Sequence, residues 1–60
     1  MFKLIYKFNG KELGHYRTEM ECKWRAYLDF SAMMNLNADA NKLHSMWNEK
    51  LNQIYKIIKV

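Results

Sequence analysis

Few side chains in this 60-residue chain could carry out nucleophilic or acid–base chemistry. A catalytic set could be assembled only from Cys22, His15, His44 and Asp29. A cysteine nucleophile needs a polar, electropositive surrounding, whereas Cys22 falls on an apolar helical stripe and reads as a small buried residue. The two histidines lie on different predicted elements, and no sequence spacing joins them. We therefore expect that the chain is not an enzyme.

The same residues do not match a metal or cofactor site. One cysteine and two scattered histidines lack the paired spacing of a zinc site. Glycine occurs only at positions 10 and 14, where backbone geometry accounts for it, so no phosphate-binding loop can be built. A chain this short cannot enclose a substrate pocket of several hundred cubic ångströms. We expect no catalytic residue, no metal, no cofactor and no small-molecule substrate.

Composition and length place the chain among single globular domains, here residues 1–60. Half of the residues are apolar, 15% are aromatic and 27% are charged, which is not typical of disorder. No apolar run exceeds three residues, so neither a membrane span nor a secretory signal is predicted. A single cysteine cannot form an internal disulfide, which favours a reducing compartment and a cytoplasmic location.

Residues 2–17 have the pattern of a β-hairpin. Residues 2–8 alternate, and the side chains predicted on the core face are Phe2, Leu4, Tyr6 and Phe8. Asn9-Gly10 follows at once, and because both residues tolerate positive φ the pair is a strong hairpin signal. Residues 11–17 should then return antiparallel to the first strand.

Strict alternation fails in the returning strand, because it would bury His15 and expose Tyr16. A β-bulge at Gly14 removes this conflict, since one extra residue reverses the faces of the remaining strand. With the bulge, Leu13 and Tyr16 face inward while His15 and Arg17 face solvent.

A first helix is predicted over residues 19–35. Thr18 and Glu21 form a capping box at its start, and Asn35 suits a left-handed C-cap. Its apolar residues nearly encircle it, in two stripes made by Cys22, Ala26, Phe30 and Met33 and by Met20, Trp24 and Leu28. A helix that is apolar on two sides is buried on two sides. One side should cover the hairpin, and the other should meet a second helix or another chain.

A second helix is predicted over residues 39–58, with Asn37 or Asp39 as its N-cap. Its apolar positions recur every three or four residues, at Leu43, Trp47, Leu51, Ile54 and Ile58. A competing interpretation makes residues 54–60 a third strand, because β-branched residues are dense there. The predicted fold class is therefore α+β, with an N-terminal β-hairpin packed on two helices and a C-terminal segment that is helix or strand.

Nine aromatic residues and five methionines are more large apolar groups than one small core hides. Tryptophan and tyrosine are enriched at binding hot spots. We therefore expect a protein-interaction surface formed by Trp24, Leu28, Trp47 and Tyr55. Its partner would be another protein, a second copy of the chain as a homodimer, or both. The alternative is that the second helix covers Trp24 and Leu28 internally.

The net charge of +4 supports a different partner. Basic side chains on a two-stranded ribbon can contact DNA or RNA phosphates, and those expected on the hairpin surface are Lys3, Lys7, Lys11, His15 and Arg17. In the competing interpretation, Lys3 and Lys7 protect an open strand edge from aggregation.

The leading functional hypothesis is a small, non-enzymatic, intracellular regulatory protein that docks on a larger protein. The many lysines and asparagines and the absence of proline suggest an AT-rich bacterial or phage genome. Chains of this size and bias suit accessory proteins or phage-encoded modulators. The alternative hypothesis is a small nucleic-acid-binding protein that uses the basic hairpin face.

Overall fold

Two strands, two helical segments and a final strand follow one another in the computed structural model, which describes all 60 residues. The elements are β1 (Phe2–Tyr6), β2 (Glu12–Tyr16), α1 (Glu19–Met34), a helical segment over residues 40–54 that we call α2, and β3 (Tyr55–Lys59). The strands form one antiparallel sheet in the order β2-β1-β3. Both helical segments pack on the same face of this sheet, so the predicted α+β fold is confirmed.

The hairpin turn is longer than the sequence pattern predicts. Strand β1 ends at Tyr6, not at residue 8, and the amide of Tyr6 donates to the carbonyl of Lys11 at 2.9 Å. Four residues therefore form the loop, and Gly10 adopts a φ of 72° within it. The Asn9 side chain accepts from the Lys11 amide at 2.9 Å, which stabilises the loop. Phe8 consequently leaves the predicted core face and lies in the turn.

The bulge in the second strand is confirmed, but it lies one residue before the predicted position, Gly14. Leu4 pairs with Gly14 but Ile5 pairs with Glu12, so Leu13 is the extra residue. Leu13 and Tyr16 both pack against the core, as predicted, and His15 is exposed.

The caps of α1 also agree with the sequence. The Thr18 hydroxyl accepts from the Glu21 amide at 3.1 Å, whereas the reciprocal bond of the predicted capping box, from the Thr18 amide to the Glu21 carboxylate, is not formed. At the other end Asn35 is the left-handed C-cap, with φ 55° and ψ 45°, so the helix closes one residue before the predicted end. Asp39 then caps α2 by accepting from the Asn41 amide at 3.0 Å.

The predicted helix over residues 39–58 is too long. Segment α2 begins with a 3₁₀ turn (Ala40–Lys42), continues as α-helix (Leu43–Met46), widens into a π-turn (Trp47–Leu51) and ends at Ile54. Residues 55–59 instead form β3, the alternative interpretation, and pair with β1 from Tyr6↔Tyr55 to Phe2↔Lys59. The physical reason is that one edge of β1 has unpaired backbone amides and carbonyls. A segment rich in β-branched residues favours the extended conformation that can hydrogen-bond to them.

The π-turn shifts the phase of α2 between its two halves. The amide of Asn52 bonds to the carbonyl of Trp47, five residues back. The Asn52 side chain donates to the Asn48 carbonyl at 3.1 Å, so a backbone acceptor in the widened turn keeps a partner.

The core lies between the sheet and the helices. Its buried side chains are Leu4, Cys22, Ala26, Tyr27, Phe30, Leu51 and Tyr55. Because every second strand residue points to the same side, the opposite sheet face carries Lys3, Ile5, Glu12, His15, Lys56 and Ile58 and has no helix over it.

Candidate interaction surface

The two tryptophans predicted as binding residues are partly buried within the fold. Trp24 packs edge-on against Tyr27, with ring centroids 5.8 Å apart. The ammonium of Lys23 lies 5.7 Å from the centre of the Trp47 ring. Both indoles also pack against the core cluster. Of the second apolar stripe of α1, Trp24 is partly buried in this way, whereas Met20 and Leu28 remain exposed.

The remaining two predicted contacts differ from each other. Leu28 lies on the solvent side of α1 and is 36% exposed. Tyr55 is fully buried, and it lies in β3 rather than on a helix. Its prediction as an exposed helical contact is wrong, because the chain leaves the helix at Ile54 and the strand turns this side chain toward the core.

Tyr55 instead belongs to a buried polar cluster. Its hydroxyl donates to Asp29 at 2.5 Å, and its ring stacks on Tyr6 with centroids 5.2 Å apart and planes inclined by 3°. Burial, followed by the hydrogen bond to Asp29, raises the pKa of Tyr55 well above its ordinary value of 10. A tyrosine in this environment keeps its proton, so the cluster is suited to holding the sheet on α1 rather than to acid–base chemistry.

The residues considered for catalysis are dispersed. Cys22 is fully buried, and its thiol faces the Phe2 carbonyl at 3.8 Å. Burial, and then the charges of Glu21 and Glu19, raise the pKa of this thiol, which disfavours the thiolate. No group of three or more His, Cys, Asp or Glu side chains is arranged to hold a metal ion.

The predicted nucleic-acid residues divide into three groups. Lys3 and His15 lie side by side on the open sheet face, and both reach Glu12, at 3.5 and 2.9 Å. Lys7 and Lys11 flank the hairpin turn, where both are exposed. Arg17 follows the opposite end of β2. The five residues therefore form no continuous basic surface, because they lie in three separate places and Glu12 neutralises part of the charge of the first group.

The most exposed large apolar side chain is one that the sequence pattern assigned to the core. Phe8 is 94% exposed in the hairpin turn. Helix α1 runs toward this same end of the molecule, since the Tyr6 hydroxyl at the end of β1 donates to the Met33 sulfur at 3.3 Å. Three further exposed apolar residues lie in or just after the last turn of α1, namely Met33, Met34 and Leu36. These four residues lie toward the same end of the molecule, and we call them together the turn-end surface.

Two open grooves adjoin the turn-end surface, and both include Tyr6 and Lys7. The first has a volume of about 600 Å³ and is lined by Tyr6, Lys7, Phe8, Gln53 and Ile54. The second, of about 620 Å³, lies on the open sheet face and is lined by Ile5, Tyr6, Lys7, Gly10, Lys56 and Ile58. Neither lining contains a carboxylate, so both grooves combine apolar walls with positive charge only.

Sequence reasoning missed this surface because it extended β1 by two residues. The available signal was the turn chemistry itself. An Asn-Gly pair is compatible with a two-residue turn and also with a four-residue loop whose last residue is a glycine with positive φ. A loop of that length takes Phe8 off the sheet.

Comparisons with known proteins add no functional information. No protein family, curated protein sequence or solved structure matches the chain. No helix in the structure combines the length and the hydropathy that crossing a membrane requires.

Proposed function

We propose that this chain is a small, non-enzymatic protein-binding module whose contact surface is the turn-end surface. The single observation that carries the proposal is the exposure of Phe8 together with Met33, Met34 and Leu36 at one end of the molecule. Aromatic and methionine side chains are enriched at protein interfaces, and a cluster of exposed apolar residues is costly to keep in water unless it is used.

The proposed contact differs from the set expected from the sequence. Trp24 and Trp47 are partly buried against the core and Tyr55 is fully buried, whereas Leu28 is exposed on α1. A phenylalanine at the tip of a hairpin is suited to insertion into a pocket on a larger protein, because its side chain has few rotamers to lose on binding.

A regulatory role in the cytoplasm is the biological setting that we propose. The module would alter the activity of the protein to which it docks, as an accessory or phage-encoded modulator. Support for a reducing compartment comes from the single, unpaired cysteine.

Capture from source-cell lysate on the immobilised chain tests the proposal. We expect protein partners that survive nuclease treatment and a high-salt wash. Phe8→Ser should abolish their capture. The matched control is Met20→Ser, because Met20 is 60% exposed but lies in the first turn of α1, about 20 Å from its other end. Capture that is unchanged in Phe8→Ser, or equally lost in both variants, would refute the proposal.

Nucleic-acid binding is a second candidate, favoured by the charge distribution around the open sheet face. Lys3 and Lys56 lie on this face, Lys7 and Lys11 lie beside it at the hairpin turn, and Glu12 is its only carboxylate. The face lacks aromatic side chains, which disfavours binding of single strands by base stacking. Binding to duplex DNA should weaken about tenfold per log unit of salt for each phosphate contacted. A nuclease-sensitive capture that Lys3→Glu abolishes would favour this candidate.

A further inference from the structure

The outer edge of β3 has unpaired backbone groups. The Val60 amide donates to the Met1 carbonyl at 3.0 Å, and the Lys7 amide donates to the Ile54 carbonyl at 2.9 Å. Because hydrogen-bonded residues alternate along an antiparallel pair, the even-numbered residues of β3 bond to β1. Tyr55, Ile57 and Lys59 therefore direct their amides and carbonyls away from the sheet, and no loop, turn or side-chain hydrogen bond reaches these backbone groups.

The two edges of the sheet differ in regularity. On β2 the bulge at Leu13 interrupts the spacing of the backbone groups, which makes that edge a poor template for another strand. Strand β3 pairs with β1 over five consecutive residues without a shift. Of the two edges, β3 is the one that can accept a further strand.

Charge distinguishes between the possible occupants of this edge. The strand carries Lys56 and Lys59 and no acidic residue, and the two grooves near its start add Lys7. A second copy paired through β3 would place four lysines at one junction, which like-charge repulsion disfavours. An extended segment with acidic side chains meets complementary charge at two points of the edge, Lys56 on the open face and Lys59 on the opposite face.

We propose that β3 binds an extended acidic segment of a partner protein, which adds to the sheet as a fourth strand. Main-chain hydrogen bonds to Ile57 and Lys59 would supply affinity, as in other cases of strand addition. Acidic side chains would face Lys56 and Lys59, and an apolar side chain at one end would enter the groove beside Phe8. This inference rests on the proposed protein-binding function and specifies the chemistry of the partner.

A displayed library of random twelve-residue peptides, selected on the immobilised full chain, tests the proposal. We expect enriched peptides with net negative charge and alternating apolar residues. Their dissociation constants, measured by fluorescence anisotropy, should increase with salt. Lys56→Glu should weaken binding about tenfold at low salt, because an attractive pair becomes a repulsive one.

Substitutions at Lys59 separate the backbone amide from the side-chain charge. Lys59→Pro removes the charge and the outward amide, and proline is tolerated at a strand edge where the amide faces outward. Lys59→Ala removes only the charge. We expect Lys59→Pro to bind about fivefold more weakly than Lys59→Ala, since one hydrogen bond is lost. Thermal unfolding of both variants checks that the fold is retained, and on peptide binding the amides of Ile57 and Lys59 should become protected from hydrogen exchange.

Several outcomes would overturn the proposal. These are the absence of any enriched peptide, enrichment of neutral or basic peptides, and equal affinities of Lys59→Pro and Lys59→Ala. A dimer in sedimentation with protection of the Ile57 amide would identify a second copy as the occupant and would also overturn it. Phe8-dependent capture from lysate can persist in each case, so failure of this inference is distinguishable from failure of the proposed function.

Discussion

The two faces of the sheet differ in how deeply they bury apolar side chains of similar size, and two consecutive residues of β1 illustrate this contrast. Leu4 is 1% exposed beneath the helices, whereas Ile5, a side chain of the same size, is only half-buried on the open face. Leu4 contacts the core cluster, while Ile5 lies between Glu12 and Lys56 of the neighbouring strands. Burial on one face therefore provides the stability, and the other face and the sheet edge remain available for contacts.

Truncating these two neighbours provides the test with the largest expected effect. Leu4→Ala removes a fully buried side chain and leaves a cavity, which should cost about 3 kcal/mol. Ile5→Ala should cost about 1 kcal/mol, because much of that side chain is already hydrated. A domain of this size has a total stability of about 3–5 kcal/mol, so Leu4→Ala should retain only about 0–2 kcal/mol, and up to about half of the molecules should be unfolded at 25 °C. Urea unfolding followed by circular dichroism measures both losses.

The same experiment can contradict the contrast between the faces. Equal losses for Leu4→Ala and Ile5→Ala would mean that the outer face is covered in solution, by self-association. Measuring the unfolding midpoint over a hundredfold range of protein concentration then distinguishes the cases, since only an associated protein shows a concentration-dependent midpoint.

A second test, of intermediate size, concerns the polar group buried on the covered face. Tyr55→Phe removes the hydrogen bond to Asp29 and should lower the free energy of unfolding by about 1.5 kcal/mol at pH 7. The pKa of Tyr55 is raised in the folded state, so the folded chain holds this proton more tightly than the unfolded chain. The contribution of Tyr55 to stability should be constant just below pH 10 and should then fall by up to about 1.4 kcal/mol per pH unit above it.

The pH dependence identifies the group responsible for that loss. In Tyr55→Phe the decline contributed by this residue above pH 10 should disappear. Tyr16→Phe serves as the control, because it retains the Tyr55–Asp29 pair and should show the wild-type slope. Parallel curves for wild type and Tyr55→Phe would show that Tyr55 ionises equally readily in both states and would contradict the assigned environment.

Local signals allowed much of the fold to be predicted, because each depends on a few adjacent residues. The bulge followed from the need to bury Tyr16, and the cap at Thr18 followed from the capping box. The end of α2 could not be fixed in this way. Residues 54–58 continue the helical stripe, which favoured a helix over a strand, but their actual state depends on the unpaired edge of a strand fifty residues earlier in the chain.

The candidate site was less predictable than the fold. Exposure depends on which element covers a residue, and the positions of Trp24 and Trp47 are decided by how α2 crosses α1. The exposure of Phe8 depends on a hairpin loop that is two residues longer than predicted, and the Asn-Gly pair does not specify the loop length. The free edge of β3 could not be inferred at all until the strand order was known.

The test with the smallest expected effect concerns the packing of Tyr16 against Gly14 in β2, on the covered face of the sheet. Gly14 and Tyr16 lie on that face, opposite Leu4 and Phe2. A Cβ atom at Gly14 would lie only 2.6 Å from the Tyr16 hydroxyl oxygen and 2.9 Å from its Cζ. The guanidinium of Arg25 lies 5.5 Å from the centre of the same ring. The absence of a side chain at position 14 therefore provides space for the aromatic ring.

Gly14→Ala should destabilise the wild type by about 1 kcal/mol, because the Tyr16 ring must move off its packing site. Gly14 does not have a positive φ, so the backbone itself tolerates alanine. In a Tyr16→Ala background the same substitution should stabilise the fold by about 0.5 kcal/mol, since alanine reduces the entropy of the unfolded chain. A double-mutant cycle with urea unfolding measures this reversal of sign. Equal destabilisation in both backgrounds would instead show that the bulge requires glycine for backbone reasons, and that the ring lies over position 14 only as a consequence.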